Sequence, residues 1–233
     1  MTLKVVGVVC ALASEARHLR PSDALRVALS GMGGTAAAQS ARSLVEAGAQ
    51  ALVSWGMAGG LDPAFAPGTI FLPSEVASPD GAAVIATDQP WRERLGARLT
   101  PGNRPVLQGR LLTSPKAVGT RADKAALLRQ TGAGAVDMES LAIAEVARSR
   151  QLPFLAIRVI VDGAADTLPH AVTAAADSEG HLQVWRLLGA LARTPGELSA
   201  LLRLGGRYRL ANRSLAAVAR VGLFGGAVGG AVE

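Results

Sequence analysis

Residues 134–166 constrain the fold more than any other stretch: G-A-V-D-M-E-S-L-A-I-A-E-V-A-R-S-R-Q-L-P-F-L-A-I-R-V-I-V-D-G-A-A-D. A short apolar run opens it. Leu141, Ile143, Ala144, Val146 and Ala147 then form an apolar stripe at helical spacing, with Glu145, Arg148 and Arg150 off it. Pro153 ends that helix, because proline lacks an N–H and disfavours helical geometry at the preceding Leu152. Phe154 to Val161 is apolar except for Arg158 and rich in branched residues, as a strand buried on both faces should be. The unit reads strand, helix, strand, which makes the chain an α/β protein with parallel pairing. Asp162 then falls at a strand's carboxyl end, where ligands gather in open α/β sheets. Asp137 and Glu139 stand in the same unit, so three carboxylates crowd one place.

The rest of the chain fits this pattern. Lys4 to Cys10 reads as a first strand, followed by a turn into a short helix carrying Glu15. The same apolar run with Ala11-Leu12-Ala13 imitates a short signal peptide, but cleavage would delete a strand and leave Glu15 unsupported, so the buried strand is the better reading. Leu25 to Ser30 is a second strand, Thr35 to Ala47 an Ala-rich helix with Gly48 as its cap, and Ala51 to Trp55 a third strand. Gly31-Met32-Gly33-Gly34 and Gly56-Met57-Ala58-Gly59-Gly60-Leu61 read as glycine-rich loops at one end of the sheet. The first lacks G-x-G-x-x-G spacing and no acid follows a second strand about twenty residues on, which argues against a dinucleotide site there. Further on, strands are expected near Ile70, at 82–86 and at 110–113, with helices at 91–99 and 122–129. Helices are also expected at 181–192 and 197–204, the second preceded by the capping box Thr194-Pro195-Gly196-Glu197.

Composition narrows the class. With 233 residues, 49% hydrophobic and 18% charged, the chain can bury one large core. Cys10 is the single cysteine, so no internal disulfide is available, and His18, His170 and His181 are too scattered for a metal site. The formal charge of +6 is uneven: residues 181–233 carry seven arginines against Glu197 and Glu233, a net of +5. We therefore expect one folded domain over 1–204 and a basic, Gly-rich tail over 205–233. Arg220 and the glycines interrupt the tail's apolar run, which falls short of the ~20 residues of a spanning helix. Its arginines with Tyr208, Leu210, Leu215, Val218 and Phe224 suit an anionic membrane surface, while a flexible tail or a dimer contact remains the alternative. Nucleic acid is disfavoured, since only Tyr208 interleaves the arginines.

The pairing of A-V-D-M-E-S with R-V-I-V-D-G-A-A-D resembles the second half of the purine nucleoside phosphorylase and methylthioadenosine/adenosylhomocysteine nucleosidase superfamily. Residues 56–70 are similar to its G-S-A-G-G-L segment and following strand, and the resemblance spans about 4–192. It implies a single-domain three-layer phosphorylase/hydrolase-like fold, a central mixed twisted sheet flanked by helices, and no cofactor. It implies that Met138 and Glu139 hold the ribose, that Asp162 protonates the purine, and that Asp137 and the segment with Met57, Ala58 and Gly59 contact substrate. Glu15 matches the last Glu of the nucleosidases' G-A-M-E-E-E-V motif, the residue that activates water, although Ala13 and Ser14 replace its acidic neighbours.

Water or phosphate is the expected co-substrate. The loops 31–35 and 54–63 hold no Lys or Arg for a phosphate and Glu15 would repel one, so hydrolysis is the first reading and phosphorolysis the alternative. Within the superfamily, Asp rather than Asn at the position of Asp162 favours a 6-aminopurine, so the resemblance implies adenine. The shortened acidic run and basic tail resemble the hopanoid-associated phosphorylase branch, which implies adenosylhopane as substrate; methylthioadenosine or adenosylhomocysteine is the alternative. A non-catalytic nucleoside- or lipid-binding protein on the same fold would bind adenosine derivatives without releasing adenine. The resemblance further implies a cytoplasmic homodimer, with the tail offering peripheral contact to the inner membrane face.

Overall fold

The computed structural model describes residues 5–100, 106–168 and 198–223. Ten strands form one mixed sheet: β1 (Val6–Cys10), β2 (Leu25–Leu29), β3 (Ala51–Gly60), β4 (Ile70–Phe71), β5 (Glu75–Ala77), β6 (Val84–Ala86), β7 (Val106–Leu107), β8 (Arg110–Thr113), β9 (Ala135–Asp137) and β10 (Phe154–Asp162). Six helices accompany them among the described residues: α1 (Ala13–Ala16), α2 (Gly34–Glu46), α3 (Gln89–Leu99), α4 (Arg121–Thr131), α5 (Ser140–Ser149) and α6 (Leu198–Val221). The main path runs β6-β5-β8-β9-β3-β10-β4-β7, and β1, carrying β2, joins β3.

Period-2 alternation along β10 builds the three layers. Phe154, Ala156 and Ile160 face a core completed by Ala37, Ala41 and Leu44 of α2 and by Ile143, Ala144 and Ala147 of α5. Leu155, Ile157 and Val159 face the opposite core, with Trp91 and Leu95 of α3 and Ala211, Leu215 and Val218 of α6. Both faces of this strand are dry, as its unbroken apolar run requires. The alanines of α2 let it approach α5 closely: a Cβ on Gly34 would already touch Ala142.

The sheet forks at β3, and the fork makes the site. The first half of β3 pairs with β1, from Val6↔Ala51 to Cys10↔Trp55, and its far end pairs antiparallel with β9, at Gly59↔Val136 and Gly60↔Ala135. β10 runs parallel to β3 on the other side, from Phe154↔Leu52 onward, with a register shift between Ile160 and Asp162. Residues 56–58 are therefore left between two partners on one edge. The segment expected to be a loop from Gly56 is strand instead, because β10 continues to pair with it while its glycines admit carboxylates where side chains would stand.

Sequence boundaries at β1, β2, α2, α3, α4 and β10 differ from the structure by one or two residues, and β5 and β7 were not expected. They are only three and two residues long, too short to show a period. The larger difference is at the carboxyl end. The helix expected to stop at Leu204 continues to Val221 through Gly205 and Gly206. Two glycines cost roughly 1 kcal/mol each within a helix, and burial of Ala211, Leu215 and Val218 against the sheet outweighs that. The expected 204/205 boundary thus lies inside α6. Leu215 and Val218, expected to face a bilayer, are fully buried, whereas Leu202 and Leu210 are exposed. The expected helix at 181–192, the capping box at 194–197, His170, His181 and Phe224 lie outside the described residues. No helix among the described residues is long and apolar enough to cross a membrane.

Candidate active site

The one-turn helix α1 exists to aim Glu15. Its carboxylate accepts from Leu12 N–H at 3.0 Å and from Met57 N–H at 2.9 Å, the second donor supplied by the open edge between β1 and β9. Trp55 Nε1 donates to the Glu15 carbonyl at 3.0 Å, fixing the backbone as well. Beneath the carboxylate lies Gly56, where a Cβ would fall 2.8 Å from Oε1. Burial pushes the Glu15 carboxyl above its ordinary range, while the Arg158 guanidinium and the two N–H donors pull it back. Neighbouring Cys10 is inert by the same physics: burial, with help from Glu15, pushes its thiol up to about 12.

At the other end of the β3 glycines, Asp162 lies beside Gly59, with Oδ1 3.4 Å from where a Cβ would be. Gly56 and Gly59 are three residues apart, so the two carboxylates contact β3 about 10 Å apart at ~3.3 Å per residue. Burial pushes the Asp162 carboxyl up, and Lys124 opposes it. Lys124 Nζ on α4 donates to Asp162 Oδ2 and, at 2.8 Å, to the Gly163 carbonyl. The turn after β10 is pinned by Asp166, which accepts from Gly163 N–H at 2.9 Å and pairs with Arg207 of α6 at 2.7 Å.

Between them stands a third group built on Arg158, the one cation of β10. Its Nε reaches Asp137 Oδ2 at 2.8 Å, and its terminal nitrogen reaches the same oxygen at 2.7 Å, Ser54 Oγ at 2.7 Å and Ser140 Oγ at 3.0 Å. Asp137 also accepts from Thr113 Oγ1 at 2.8 Å. Glu139 lies 3.9 Å from Arg158 and accepts from Gly33 N–H at 2.9 Å, at the glycine turn before α2. Gly33 has φ of +99°, a conformation that glycine permits. Burial and the adjacent Asp137 push Glu139 up to about 7, against the pull of Arg158 and Gly33 N–H.

Glu15, Met57, Ala58, Gly59, Asp137, Met138, Glu139 and Asp162 all line one cavity of about 210 Å³. The eight residues singled out in the sequence are thus brought together. Asp137 comes with a difference, since its carboxylate is already occupied by Arg158, Thr113 and the Ser140 N–H. Sequence reasoning missed Arg158, Lys124, Lys116 and Tyr208. Arg158 had a signal, because a cation inside a doubly buried strand must have a carboxylate partner. Lys124 had none, lying in the polar run R-A-D-K at the start of α4. Tyr208 reaches the cavity wall from α6 and shares a hydrogen bond with Ser14 across 194 residues of sequence. Lys116, exposed on the rim, is the one Lys or Arg lining the cavity among the described residues.

A mixed sheet between two helical layers, with separated buried carboxylates along a glycine-lined strand end, defines an α/β protein of the phosphorylase/hydrolase-like kind. The sequence profile of the phosphorylase superfamily matches residues 23–192, and the chain belongs to that superfamily. Among solved structures it is similar to the 5′-methylthioadenosine/S-adenosylhomocysteine nucleosidase of Neisseria meningitidis in complex with methylthio-immucillin-A: 20% identity, TM-score 0.72, covering 94% of this chain and 98% of that one. The Helicobacter pylori nucleosidase mutant with 5′-methylthioadenosine in its active site has TM-score 0.70 and 15% identity over 95% of this chain and 96% of its own. The futalosine hydrolase of Helicobacter pylori gives 0.67 and 16% over 93% and 97%. No curated protein sequence matches the chain.

Proposed function

We propose that this protein hydrolyses the N-glycosidic bond of a 5′-substituted adenine nucleoside and releases adenine. The observation that carries the reading is the placement of two buried carboxylates, Glu15 and Asp162, at separate points of one cavity. About 10 Å of strand lies between their contact points, room for a water, the sugar carbon and the imidazole edge of a purine with hydrogen bonds of ~3 Å at each end. Asp162 in its protonated form gives a proton to purine N7 as the bond to C1′ breaks. Glu15 takes a proton from the water that attacks C1′. Glu139 accepts from the ribose hydroxyls, Met138 and Met57 pack against the sugar, and Ala58 and Gly59 let the ring approach the strand. Asp137 serves through Arg158, which it holds beside Glu139.

The 5′-substituent is proposed to be large and apolar, as in adenosylhopane. Met32 and Met138 line the nucleoside cavity and also a cleft of about 660 Å³ whose walls include Pro79, Pro115, Leu141 and Ala142. Gln39, Ser78, Thr113 and Glu145 share those walls, so it is the size of the cleft that favours a bulky substituent over a methylthio group, which is the runner-up. A second reading, phosphorolysis, is favoured by one observation, Lys116 on the cavity rim. Adenine release from adenosylhopane and from methylthioadenosine, each with and without phosphate, tests both readings. Free ribose products independent of phosphate support hydrolysis, a 1-phosphate by mass spectrometry overturns it, and no adenine at all points to the non-catalytic binding protein.

We further propose a homodimer in solution and peripheral contact with an anionic membrane. Support for the contact comes from a cleft of about 950 Å³ between α1, β2 and the end of α6, lined by Arg17, Arg20, Arg213 and Arg220 and, among the described residues, by no acidic one. The arginines, rather than an inserted apolar face, then provide the attraction.

A further inference from the structure

Lys124 is buried completely, its side chain 0% exposed. An ammonium taken out of water is tolerated only where the protein supplies charge and acceptors in return. Here both come from the end of β10: Asp162 Oδ2 and the Gly163 carbonyl. Lys124 does not line the nucleoside cavity, whereas Asp162 and Gly59 do. Lys124 engages Oδ2, and both carboxylate oxygens stand against β3, Oδ1 3.4 Å and Oδ2 3.6 Å from where a Cβ on Gly59 would be.

We propose that Lys124 is a positioning residue for proton delivery, pinning one oxygen of Asp162, turning the other toward the cavity and stabilising the carboxylate that remains after the proton is transferred. The proposal rests on the reading of Asp162 as the general acid. In the step itself the Asp162 O–H bond breaks while an N–H bond forms at purine N7, and the C1′–N9 electron pair moves onto the purine. Lys124 keeps its three protons throughout, and Asp162 regains its own from solvent once adenine has left. Negative charge appears on Asp162 only as the proton moves. A fixed cation one hydrogen bond away in a dry site therefore favours the transition state over the ground state.

Several charged groups face Asp162. Lys124 comes from α4, Asp166 from the turn after β10, and Arg207 from α6; β3 contributes only glycine at this point. Asp166 and Arg207 pair with each other at 2.7 Å, so their effects on Asp162 oppose. Lys124 is the group in direct contact. Burial raises the proton affinity of Asp162 and Lys124 lowers it, so removing the cation leaves burial less opposed. The carboxyl should then hold its proton to higher pH and release it less readily.

Two measurements test this. In the first, kcat for adenine release is followed against pH in Lys124→Met and Lys124→Arg. The methionine variant is expected to lose on the order of 10²-fold in kcat, with KM little changed and the alkaline limb of the profile moved to higher pH. Arginine is expected to bring the limb back toward the wild type. An alkaline limb that stays in place or moves down in Lys124→Met overturns the proposal, as does a further loss when Lys124→Met is added to Asp162→Asn. In the second, the Asp162 carboxyl is titrated by carbon-13 NMR without substrate, its resonance assigned through Asp162→Asn. Titration at higher pH in Lys124→Met supports the proposal, and an unchanged titration sinks it whatever the enzyme catalyses. A wild type that releases no adenine while the titration shifts refutes the nucleosidase reading instead, and the catalytic role of Lys124 with it.

Discussion

Glu15 Oε1 lies over Gly56 so closely that a Cβ on that glycine would stand 2.8 Å away, with the rest of the carboxyl group at 3.0 Å. The helix that carries Glu15 and the β3 edge are fitted to each other through the absence of one methyl group. Gly56→Ala must therefore displace the Glu15 carboxylate or break its hydrogen bond from Met57 N–H. We expect adenine release to fall by about 10²-fold, the lower end of the contribution of a positioned base, with far-UV circular dichroism retained. Wild-type turnover in Gly56→Ala would show that the position of Glu15 does not matter.

Replacing the two proposed acid–base groups separates their roles. Asp162→Asn should lower kcat by at least about 10²-fold, because the amide has no acidic proton for the purine. Glu15→Gln should abolish hydrolysis and leave nucleoside binding intact, measured by calorimetry with a non-cleavable analogue. Near-normal release of adenine by either variant would remove that residue from the mechanism.

Glu139, pushed up to about 7 from an ordinary 4.5, gives a pH signature with a definite sign. The folded state holds a proton there that the unfolded chain has already lost between these values, so this group's contribution to stability falls as pH rises from about 4.5 to 7. The proposed role of Glu139 as acceptor for the ribose hydroxyls calls for the ionised form, so kcat/KM should rise through the same region. Denaturant titrations and kinetics of Glu139→Gln across pH 4.5–8 should show both dependences flattened; a Gln variant with the wild-type pH profiles would contradict this.

Arg158 neutralises a buried acidic neighbourhood formed by Asp137, Glu139 and Glu15. Arg158→Met leaves these groups without their cation, and breaking a buried pair from one side costs about 3–5 kcal/mol. The expected result is a fall in Tm on the order of 10 °C for a chain of this size, larger at neutral than at acidic pH, where protonation relieves the carboxylates. An unchanged Tm would mean that solvent screens the group far more than its 2% exposure implies.

Membrane contact is best tested with point charges. Removing residues from 207 onward would also remove Tyr208 from the cavity wall and the packing of Ala211, Leu215 and Val218. Arg213→Glu/Arg220→Glu changes only exposed side chains. At roughly 1 kcal/mol per arginine near an anionic surface, the double variant should lose co-sedimentation with phosphatidylserine liposomes while cleaving a soluble nucleoside normally. Equal sedimentation of wild type and variant would reject the contact.

Local pattern carried much of the architecture. The period-2 and period-3.6 stripes of residues 134–166 depend only on which residues neighbour each other along the chain, so β10, α5 and the strand-end position of Asp162 were legible without coordinates. The residues that line the cavity could be named for a different reason: residues 56–61, A-V-D-M-E-S and R-V-I-V-D resemble contiguous motifs of the superfamily. Tertiary structure alone decided the rest. β3 continues through its glycines because β10 pairs with it, and α6 passes Gly205 and Gly206 because its apolar face lands on the sheet. Lys124 meets Asp162, and Tyr208 meets Ser14, across gaps of 38 and 194 residues. No local periodicity encodes such pairings: a buried charge finds its partner only when the sheet and its covering helices have fixed both in the same dry volume.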